Sequence, residues 1–266
     1  MSRRPHLPAD PVVRIGGAFA LSAAAICLLP IPVLLAVATT PAWQQGPWAG
    51  GFTLRWLAES WSSVGPYASY SLRLALLTLV LDTLLGLPAA WVIARTAFPG
   101  RGALLALINL PLAVPGIALA LALILAYPTW RAGGWLLVAG HVLYTLPFFI
   151  GTLAPALAQP ELQEREAVAA TLGANRLQQF ARVTLPAVRP AVLAAVIIVV
   201  TLSLGEFNVS FFLFTPTAKT LPIDLYAAYI TGRLEIAAAA TVWFLALVMP
   251  ATIAIERLGR ARVGQV

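Results

Sequence analysis

Charged side chains are scarce in this sequence of 266 residues. Lys, Arg, Asp and Glu together make up 10% of it, whereas hydrophobic residues make up 60%. Soluble domains carry roughly 25% charged residues, and a water-soluble core of this length could not bury so much apolar surface. A lipid bilayer accommodates this composition because it solvates apolar side chains directly. The composition therefore predicts a single membrane domain.

Residues that could build a metal or covalent centre are almost absent. Cys27 is the single cysteine and lies in an apolar run, so no disulfide can form within the chain. The two histidines, His6 and His141, have no further His or Cys at ligand spacing, which predicts no metal site. The sequence also lacks the motifs G-x-S-x-G and G-x-x-x-x-G-K-[ST], so the chain has no nucleophile turn and could not hydrolyse ATP itself.

The basic residues do not form the clusters that nucleic-acid binding requires. The net charge is +7, but the arginines lie at the ends of apolar runs instead of along one basic groove. Arginines in such positions are typical of membrane-topology signals. We therefore predict membrane lipid, and no nucleic acid, as a partner.

The apolar runs predict an all-α, polytopic membrane protein with about six transmembrane helices. The first span is predicted to be an uncleaved helix with kinks at Pro30 and Pro32, and the third to be bent at Pro111 and Pro115. A Trp-rich connection, 40–69, is expected to lie on the membrane surface. The predicted spans are 15–39, 70–94, 103–126, 135–157, 191–204 and 237–255.

The distribution of Lys and Arg predicts that both termini are cytoplasmic. With six spans and this orientation, twelve basic residues lie inside and five outside, which together account for all 17. The resulting domain organisation is a cytoplasmic tail at 1–14, one transmembrane domain at 15–258 and a second cytoplasmic tail at 259–266. A polar interval at about 161–190 then falls in the cytoplasm.

This polar interval has the pattern of a compact projecting segment. Its front half is helical, with Leu162, Ala169, Leu172 and Phe180 on one broad face, and Gly173 interrupts the helix. Two prolines, at 186 and 190, are expected to begin the next membrane span. From the residues alone, an ordinary connecting loop and a docking segment are about equally good interpretations.

The same interval resembles the EAA loop of ABC-importer permeases, the segment that docks on the ATPase subunit. The family pattern is E-A-A, three residues, Gly, nine residues, then I-x-L-P. Here nine residues separate Gly173 from Val183-Thr184-Leu185-Pro186, and Ala167-Val168-Ala169 occupy the E-A-A positions, with the acidic Glu166 one place earlier. The resemblance implies a type I ABC importer permease fold with a cytoplasmic coupling helix. Its implied ATPase-coupling residues are Glu166, Ala167, Ala169, Gly173, Leu185 and Pro186.

A second resemblance covers residues 203–226, SLGEFNVSFFLFTPTAKTLPIDLY. This stretch is similar to the fifth helix, outer loop and T-L-P turn of permeases for polyamines, thiamine, ferric iron and phosphonates. It implies a bacterial inner-membrane subunit that works with a second permease, two ATPase subunits and an extracytoplasmic binding protein. ATP would bind to the partner, and the chain itself would hold no cofactor. A polyamine or similar cation is the leading solute, with phosphonate, thiamine, ferric iron or an oxyanion as alternatives.

Four polar residues at membrane depth are candidates for the translocation path. A buried carboxylate costs several kcal/mol unless it is paired or faces water, so Glu206 is either a group that meets the solute or an acid at a helix end. Ser203 and Asn208 accompany it, and Asp82 lies in the middle of the second span. For Asp82 a hydrogen-bonded structural acid is favoured over a pore-facing one. His141 is expected to be a satisfied packing residue.

Two other classes of protein compete with the importer subunit. A self-contained secondary transporter would need coupling carboxylates deep in its spans, for which Asp82 alone offers thin support. It would also leave the cytoplasmic segment without a function, and no inverted halves are evident. An intramembrane enzyme would need a catalytic cluster at membrane depth, which the sequence lacks.

Overall fold

The computed structural model describes residues 11–260, and within them the regular structure is helical apart from one isolated bridge, between Thr215 and Ala218. This agrees with the all-α prediction. Residues 1–10 and 261–266, which include most of the two predicted tails, lie outside the described residues. The helices are α1 Pro11–Leu28, α2 Pro30–Thr39, α3 Arg55–Arg95, α4 Arg101–Ala113, α5 Gly116–Ala126, α6 Trp135–Leu157, α7 Pro160–Thr171, α8 Arg176–Gln179, α9 Leu185–Gly205, α10 Asn208–Leu213, α11 Leu221–Ile230 and α12 Leu234–Arg260.

The predicted proline break in the first span is confirmed. Helix α1 ends at Leu28 and α2 begins at Pro30, because proline has no N–H to continue the helical ladder but fits a first turn. Helix α2 packs against α12, where Ala38 is fully buried beside Ala238 and Ala239. The apolar side chains of α1 that the structure describes are exposed, as expected for residues that face lipid.

The second span begins earlier than predicted. Helix α3 runs unbroken for 41 residues from Arg55, so residues 55–69 do not belong to a surface connection as the sequence suggested. Gly65 and Pro66 indicated a break there, yet both lie within the helix. Burial against α11 and α12 overrides that local preference, since Val64 and Ala68 share a cluster with Leu221 and Ala240.

Helices α3 and α6 are parallel neighbours, and this fixes the path of the chain between them. Tyr70 lies beside Gly134 at one end, Asp82 bonds Thr145 in the middle, and Ile93 packs near Leu157 at the other end. The chain must therefore return across the same thickness between Arg95 and Trp135. Helices α4 and α5 make this return, with an angle of 106° between them. The predicted bend is confirmed at Pro115, between the two helices, whereas Pro111 lies within α4.

The remaining helices continue this alternation of direction. Helix α9 is antiparallel to α6, because Ser203 meets His141 whereas Val188 lies in the cluster that contains Leu157. Helix α12 is parallel to α3, since Trp243 bonds the carbonyl of Leu57 and Val248 packs near Ala75. In residues 11–260, four helices have the length and hydropathy of a span, and the bent pair makes a fifth. With α12, whose described apolar part is shorter, the chain makes the six predicted passes.

Two further boundaries differ from the predictions. Helix α9 starts at Leu185, not at residue 191, and α12 starts at Leu234 and continues to Arg260. The polar connection before α12 contains the apolar helix α11. This helix has Pro222 in its first turn, a position that proline favours.

Candidate functional site

The cytoplasmic segment between α6 and α9 is a helical hairpin with a defined turn. Gly173 has φ +84°, the amide of Gly173 donates to the carbonyl of Ala170, and that of Ala174 donates to Ala169, which together form a Schellman motif. The helix end predicted at Gly173 is thus confirmed. Asn175 and Gln178 then form a reciprocal capping box that starts α8.

The chain re-enters the membrane region as one continuous helix from Arg176 to Gly205. The predicted restart at Pro186 and Pro190 is therefore about ten residues too late, since both prolines lie within helical structure. A π-helical turn, Phe180–Thr184, joins α8 to α9 immediately before Pro186. Proline cannot donate an i→i−4 bond, and such wide turns accommodate local breaks in the ladder.

Large apolar side chains on this segment are open to solvent. Leu172 and Leu177, on either side of the Gly173 turn, are 83% and 76% exposed, and Val168 and Leu185 are also exposed. Of the four residues assigned to one helical face from the sequence, only Leu162 is buried. Three exposed arginines lie on the same segment: Arg165, Arg176 and Arg182. Exposed apolar patches with a polar rim are typical of protein–protein interfaces.

The residues implied for ATPase coupling divide into two groups. Five of them lie on or at the edge of the outward surface: Ala167, Leu185 and Pro186 are exposed, Ala169 is half-buried, and Gly173 forms the turn. Glu166 differs, because its carboxylate points back into the chain. Arg95 donates to it from both terminal nitrogens, Nη1 to Oε2 at 2.8 Å and Nη2 to Oε1 at 2.9 Å, and the Thr184 hydroxyl donates to Oε1.

A chain of buried polar groups crosses the middle of the helix bundle. Thr145 Oγ1 lies 2.6 Å from Asp82 Oδ2 and 2.8 Å from the carbonyl oxygen of His141. His141 places Nδ1 2.8 Å from Ser203 Oγ and Nε2 2.9 Å from Ser210 Oγ. His141 is thus fully buried with both ring nitrogens bonded, as predicted for a satisfied packing residue.

Glu206 closes this chain of polar groups at the start of α10. Its Oε1 accepts from the amide of Val209 at 2.7 Å, and its Oε2 accepts from the amide and the hydroxyl of Ser210 at 2.8 and 2.7 Å. These bonds satisfy orphan N–H groups of the helix N-terminus, where a negative charge is also favoured. In this conformation Glu206 is a buried helix cap, one of the two interpretations that the sequence left open.

The other translocation candidates occupy different surroundings. Asp82 and Ser203 are buried within the helix bundle, and Asp82 Oδ1 has no hydrogen-bond partner. Asn208 is exposed, and its Cβ lies where α10 closely approaches Gly116 at the start of α5. The structure therefore brings Ser203 and Glu206 together around His141, while Asn208 lies apart on the surface.

Replacing Asp82 by Asn is expected to leave abundance and uptake within about twofold of wild type. One Thr145 hydroxyl hydrogen faces two acceptors, Asp82 and the His141 carbonyl. An Asn side chain has nearly the same shape as Asp, and its amide supplies a second hydrogen for these acceptors. It also carries no formal charge, which lowers the cost of burial in the bundle. Quantitative immunoblotting of membranes and solute uptake would check this result.

Asp82→Leu is the matched control, because it removes the polar group and overfills a fully buried position. We expect this variant to lower membrane abundance severalfold. Loss of uptake in Asp82→Asn at normal abundance would contradict a structural role and assign Asp82 to the solute path.

Glu206→Gln is expected to reduce abundance or thermal stability before it changes solute affinity. Both carboxylate oxygens accept hydrogen bonds, whereas an amide retains one acceptor and turns a donor toward another donor. Leaving a buried donor unsatisfied costs about 1–3 kcal/mol. Detergent-solubilised protein should therefore unfold at lower temperature, with Asn208→Ala as an exposed control on the same turn. A variant of unchanged stability with altered uptake kinetics would instead indicate that Glu206 contacts the solute.

Sequence reasoning missed Arg95, Thr184, Thr145 and Ser210 as members of these sites. Arg95 was treated only as a topology signal, although Trp91 one turn earlier was a usable clue, and its ring lies 5.0 Å from the guanidinium carbon. Thr184 occupies the variable position of the I-x-L-P motif, so the motif gave it no weight. Thr145 and Ser210 are short polar side chains without a distinctive pattern.

Comparison with known proteins identifies the family. Residues 82–263 match the model of the family described as "Binding-protein-dependent transport system inner membrane component". The chain is 33% identical over 210 residues to a sulfate transport system permease protein, CysW of Synechocystis sp., covering 72% of this chain and 75% of the relative. It is 30% identical over 205 residues to the spermidine/putrescine permease protein PotC of Escherichia coli, covering 75% and 77%.

A solved structure confirms the fold independently of these sequences. A chain of a bacterial ABC transporter involved in the import of the acidic polysaccharide alginate superimposes with a TM-score of 0.69 at 16% identity, over 96% of this chain and 99% of the other. The all-α permease fold expected from the sequence is thus confirmed, and relatives of this kind are transport subunits in the bacterial inner membrane. The chain belongs to the inner-membrane components of binding-protein-dependent transport systems, as a permease subunit of an ABC importer and not an enzyme.

Proposed function

We propose that residues 160–186 dock on a separate ATPase subunit and couple its cycle to this permease. The observation that carries this proposal is the exposure of Leu172 and Leu177 at the turn of a segment that projects between α6 and α9. Exposed leucines next to arginines suit a protein partner with an apolar groove and an acidic rim. The Schellman turn and the capping box fix the shape of the segment that carries these leucines.

A second permease subunit and an outer binding protein complete the proposed assembly. Helices α4 and α5 present a row of exposed apolar side chains, Leu104, Leu107, Leu110, Leu112, Ile117, Leu121 and Leu125. The solute path would lie between this surface and the same or a homologous subunit. The binding protein would dock on the extracytoplasmic side of the permease, near the loops that flank α11.

A small oxyanion is the solute we favour. Relatives named as sulfate transport permeases reach 33% and 34% identity. A free carboxylate in the solute path would favour a cation, but the Glu206 carboxylate is buried and hydrogen-bonded within the chain. A polyamine remains the second candidate, because PotC is 30% identical. A cavity of about 520 Å³ beside α11 is also lined by Trp43, Phe207, Tyr226 and Tyr229, and aromatic faces attract cations.

Co-purification tests the docking proposal. The tagged chain, solubilised from native membranes, should retain an ATPase subunit, and Leu177→Glu should lose it because a buried charge would oppose association. Leu54→Glu, at an exposed leucine immediately before the start of α3, is the control and should retain the ATPase. Wild-type chain that purifies without an ATPase, and transports alone under an ion gradient, would favour a secondary transporter.

Uptake into vesicles that contain the whole importer tests the solute. Labelled sulfate should accumulate with ATP and be displaced by other oxyanions, whereas labelled putrescine should not. Accumulation of putrescine without sulfate would replace the oxyanion by a polyamine. Accumulation of neither would reject both solutes and leave the docking proposal to the co-purification result.

A further inference from the structure

The Glu166 carboxylate accepts three hydrogen bonds, all from side chains of the permease itself. Its bidentate pair with Arg95 joins residues 71 positions apart, and the two side chains are 14% and 12% exposed. The Thr184 hydroxyl adds a third bond from the π-helical turn. Bidentate, partly buried pairs are the strong kind of ion pair and hold a fixed geometry. We call these three residues the Arg95 joint.

The Arg95 joint connects three elements at one point. Arg95 is the last residue of α3, Glu166 lies in the middle of α7, and Thr184 ends the π-helical turn. Trp91, one turn earlier on α3, packs against the Arg95 joint. Its ring lies beside the Arg95 guanidinium and edge-on to Phe180, with 6.0 Å between the two ring centroids. Movement of the cytoplasmic segment therefore acts directly on the end of α3.

A cavity beside the Arg95 joint leaves room for its side chains to change their hydrogen-bond partners. A cavity of about 250 Å³ lies between α3 and the start of the returning helix, and both Glu166 and Thr184 line it. The Arg95 Nε atom is buried without a hydrogen-bond partner, so the guanidinium has a donor left to form an alternative bond. Buried polar groups rarely stay unpaired, which suits a contact that exchanges partners between two conformations.

Helix α3 extends from the Arg95 joint to the far side of the molecule. Its 41 residues make an unbroken helix about 60 Å long. Its other end bonds the outer connections, where Glu59 pairs with Arg233, and Ser71 accepts from the amide of Leu221 at 2.8 Å. One continuous helix, which contains Pro66 and Pro88, thus links the cytoplasmic segment to the elements that flank α11.

We propose that Arg95, Glu166 and Thr184 are positioning residues that transmit movement of the docked segment to α3, with Glu166 acting inside the permease and not on the ATPase. This inference rests on the proposed docking of residues 160–186. It differs from the sequence-based assignment of Glu166, which placed it among the residues that meet the ATPase.

The test uses the complete importer in vesicles, with ATPase retention, ATP hydrolysis and solute uptake measured on the same preparations. Arg95→Met and Glu166→Gln should each retain the ATPase and hydrolyse ATP, but uptake per ATP should fall at least tenfold. The exchange Arg95→Glu with Glu166→Arg should recover a large part of that loss, because the pair re-forms with reversed charges. Arg95→Lys should give an intermediate result, since Lys keeps the charge but not the bidentate geometry.

The alternative makes the opposite prediction. If Glu166 acts on the ATPase, Glu166→Gln loses the ATPase, Arg95→Met stays coupled, and the charge exchange rescues nothing. Where Arg95→Met fails to reach the membrane, Thr184→Val removes one hydroxyl from the Arg95 joint and should lower uptake per ATP two- to fivefold. Unchanged coupling in Thr184→Val would then overturn the proposal. Absence of the ATPase from wild type would instead reject docking itself.

Discussion

Gly140→Val is expected to remove nearly all folded permease from the membrane. A Cβ at this position would lie 2.6 Å from Val209 Cγ1 and 2.8 Å from Leu213 Cδ1, well inside van der Waals contact. Valine side chains cannot rotate away easily because they are branched at Cβ. Overpacking of this kind costs about 3 kcal/mol, and it would act next to the His141 contacts with Ser203 and Ser210.

Gly151→Val on the same helix is the control, because a Cβ there meets nothing within 4 Å. Membrane abundance and fluorescence-detected size-exclusion profiles would compare the two variants. In addition, Gly140→Ala combined with Val209→Ala should be more stable than Gly140→Ala alone, since the second change removes the clashing methyl groups. Equal abundance of Gly140→Val and Gly151→Val would show that α6 and α10 are not in close contact.

Gly173→Val is expected to abolish coupled transport while the protein remains inserted. The positive φ of Gly173 lies in a region that costs other residues roughly 1–2 kcal/mol, and a β-branched residue tolerates it least. The Schellman bonds to Ala169 and Ala170 would break, and Leu172 and Leu177 would lose their fixed separation. Gly173→Asn should retain part of the activity, because Asn adopts the left-handed conformation more readily.

A second Schellman motif provides the matched control for Gly173. Gly232 has φ +76°, and the amides of Gly232 and Arg233 donate to Tyr229 and Ala228 at the end of α11. Gly232→Val introduces the same backbone strain on the opposite side of the molecule. ATPase retention should therefore fall in Gly173→Val and persist in Gly232→Val. If both variants retain the ATPase and transport normally, the shape of the 160–186 turn is not needed for coupling.

Much of the architecture could be predicted from residue patterns because membrane spans leave a strong composition signal. The six passes, the break at Pro30 and the helix end at Gly173 each follow from a local rule on hydropathy, proline or glycine. The 55–69 part of α3 could not be predicted, since Gly65 and Pro66 signal a break locally and only contacts with α11 and α12 keep the helix intact. The substrate assignment was equally limited, and the polyamine expected first is not confirmed.

Some of the site residues could likewise be predicted from local sequence, and others could not. Gly173 was found because a left-handed turn selects glycine, whereas the exposure of Leu172 and Leu177 was not predicted. The partners of Glu166 and His141 were not predictable, because they lie far away along the chain and are common residue types. Glu206 differs, since its partners Val209 and Ser210 follow it by three and four residues. Pairing between distant helices depends on their rotation and register, which a single sequence does not record.

The contacts of α12 have a consequence for how the protein is made. Ala38 of α2 and Val64 of α3 are covered by Ala239 and Ala240, and the amide of Trp43 donates to Glu235 at 2.8 Å. The packing of α2 and α3 is therefore completed by α12, which follows them by about 140 residues or more along the chain. During synthesis, α2 and α3 would keep an open face until α12 inserts. A premature stop before residue 234 would expose that face to quality-control proteases.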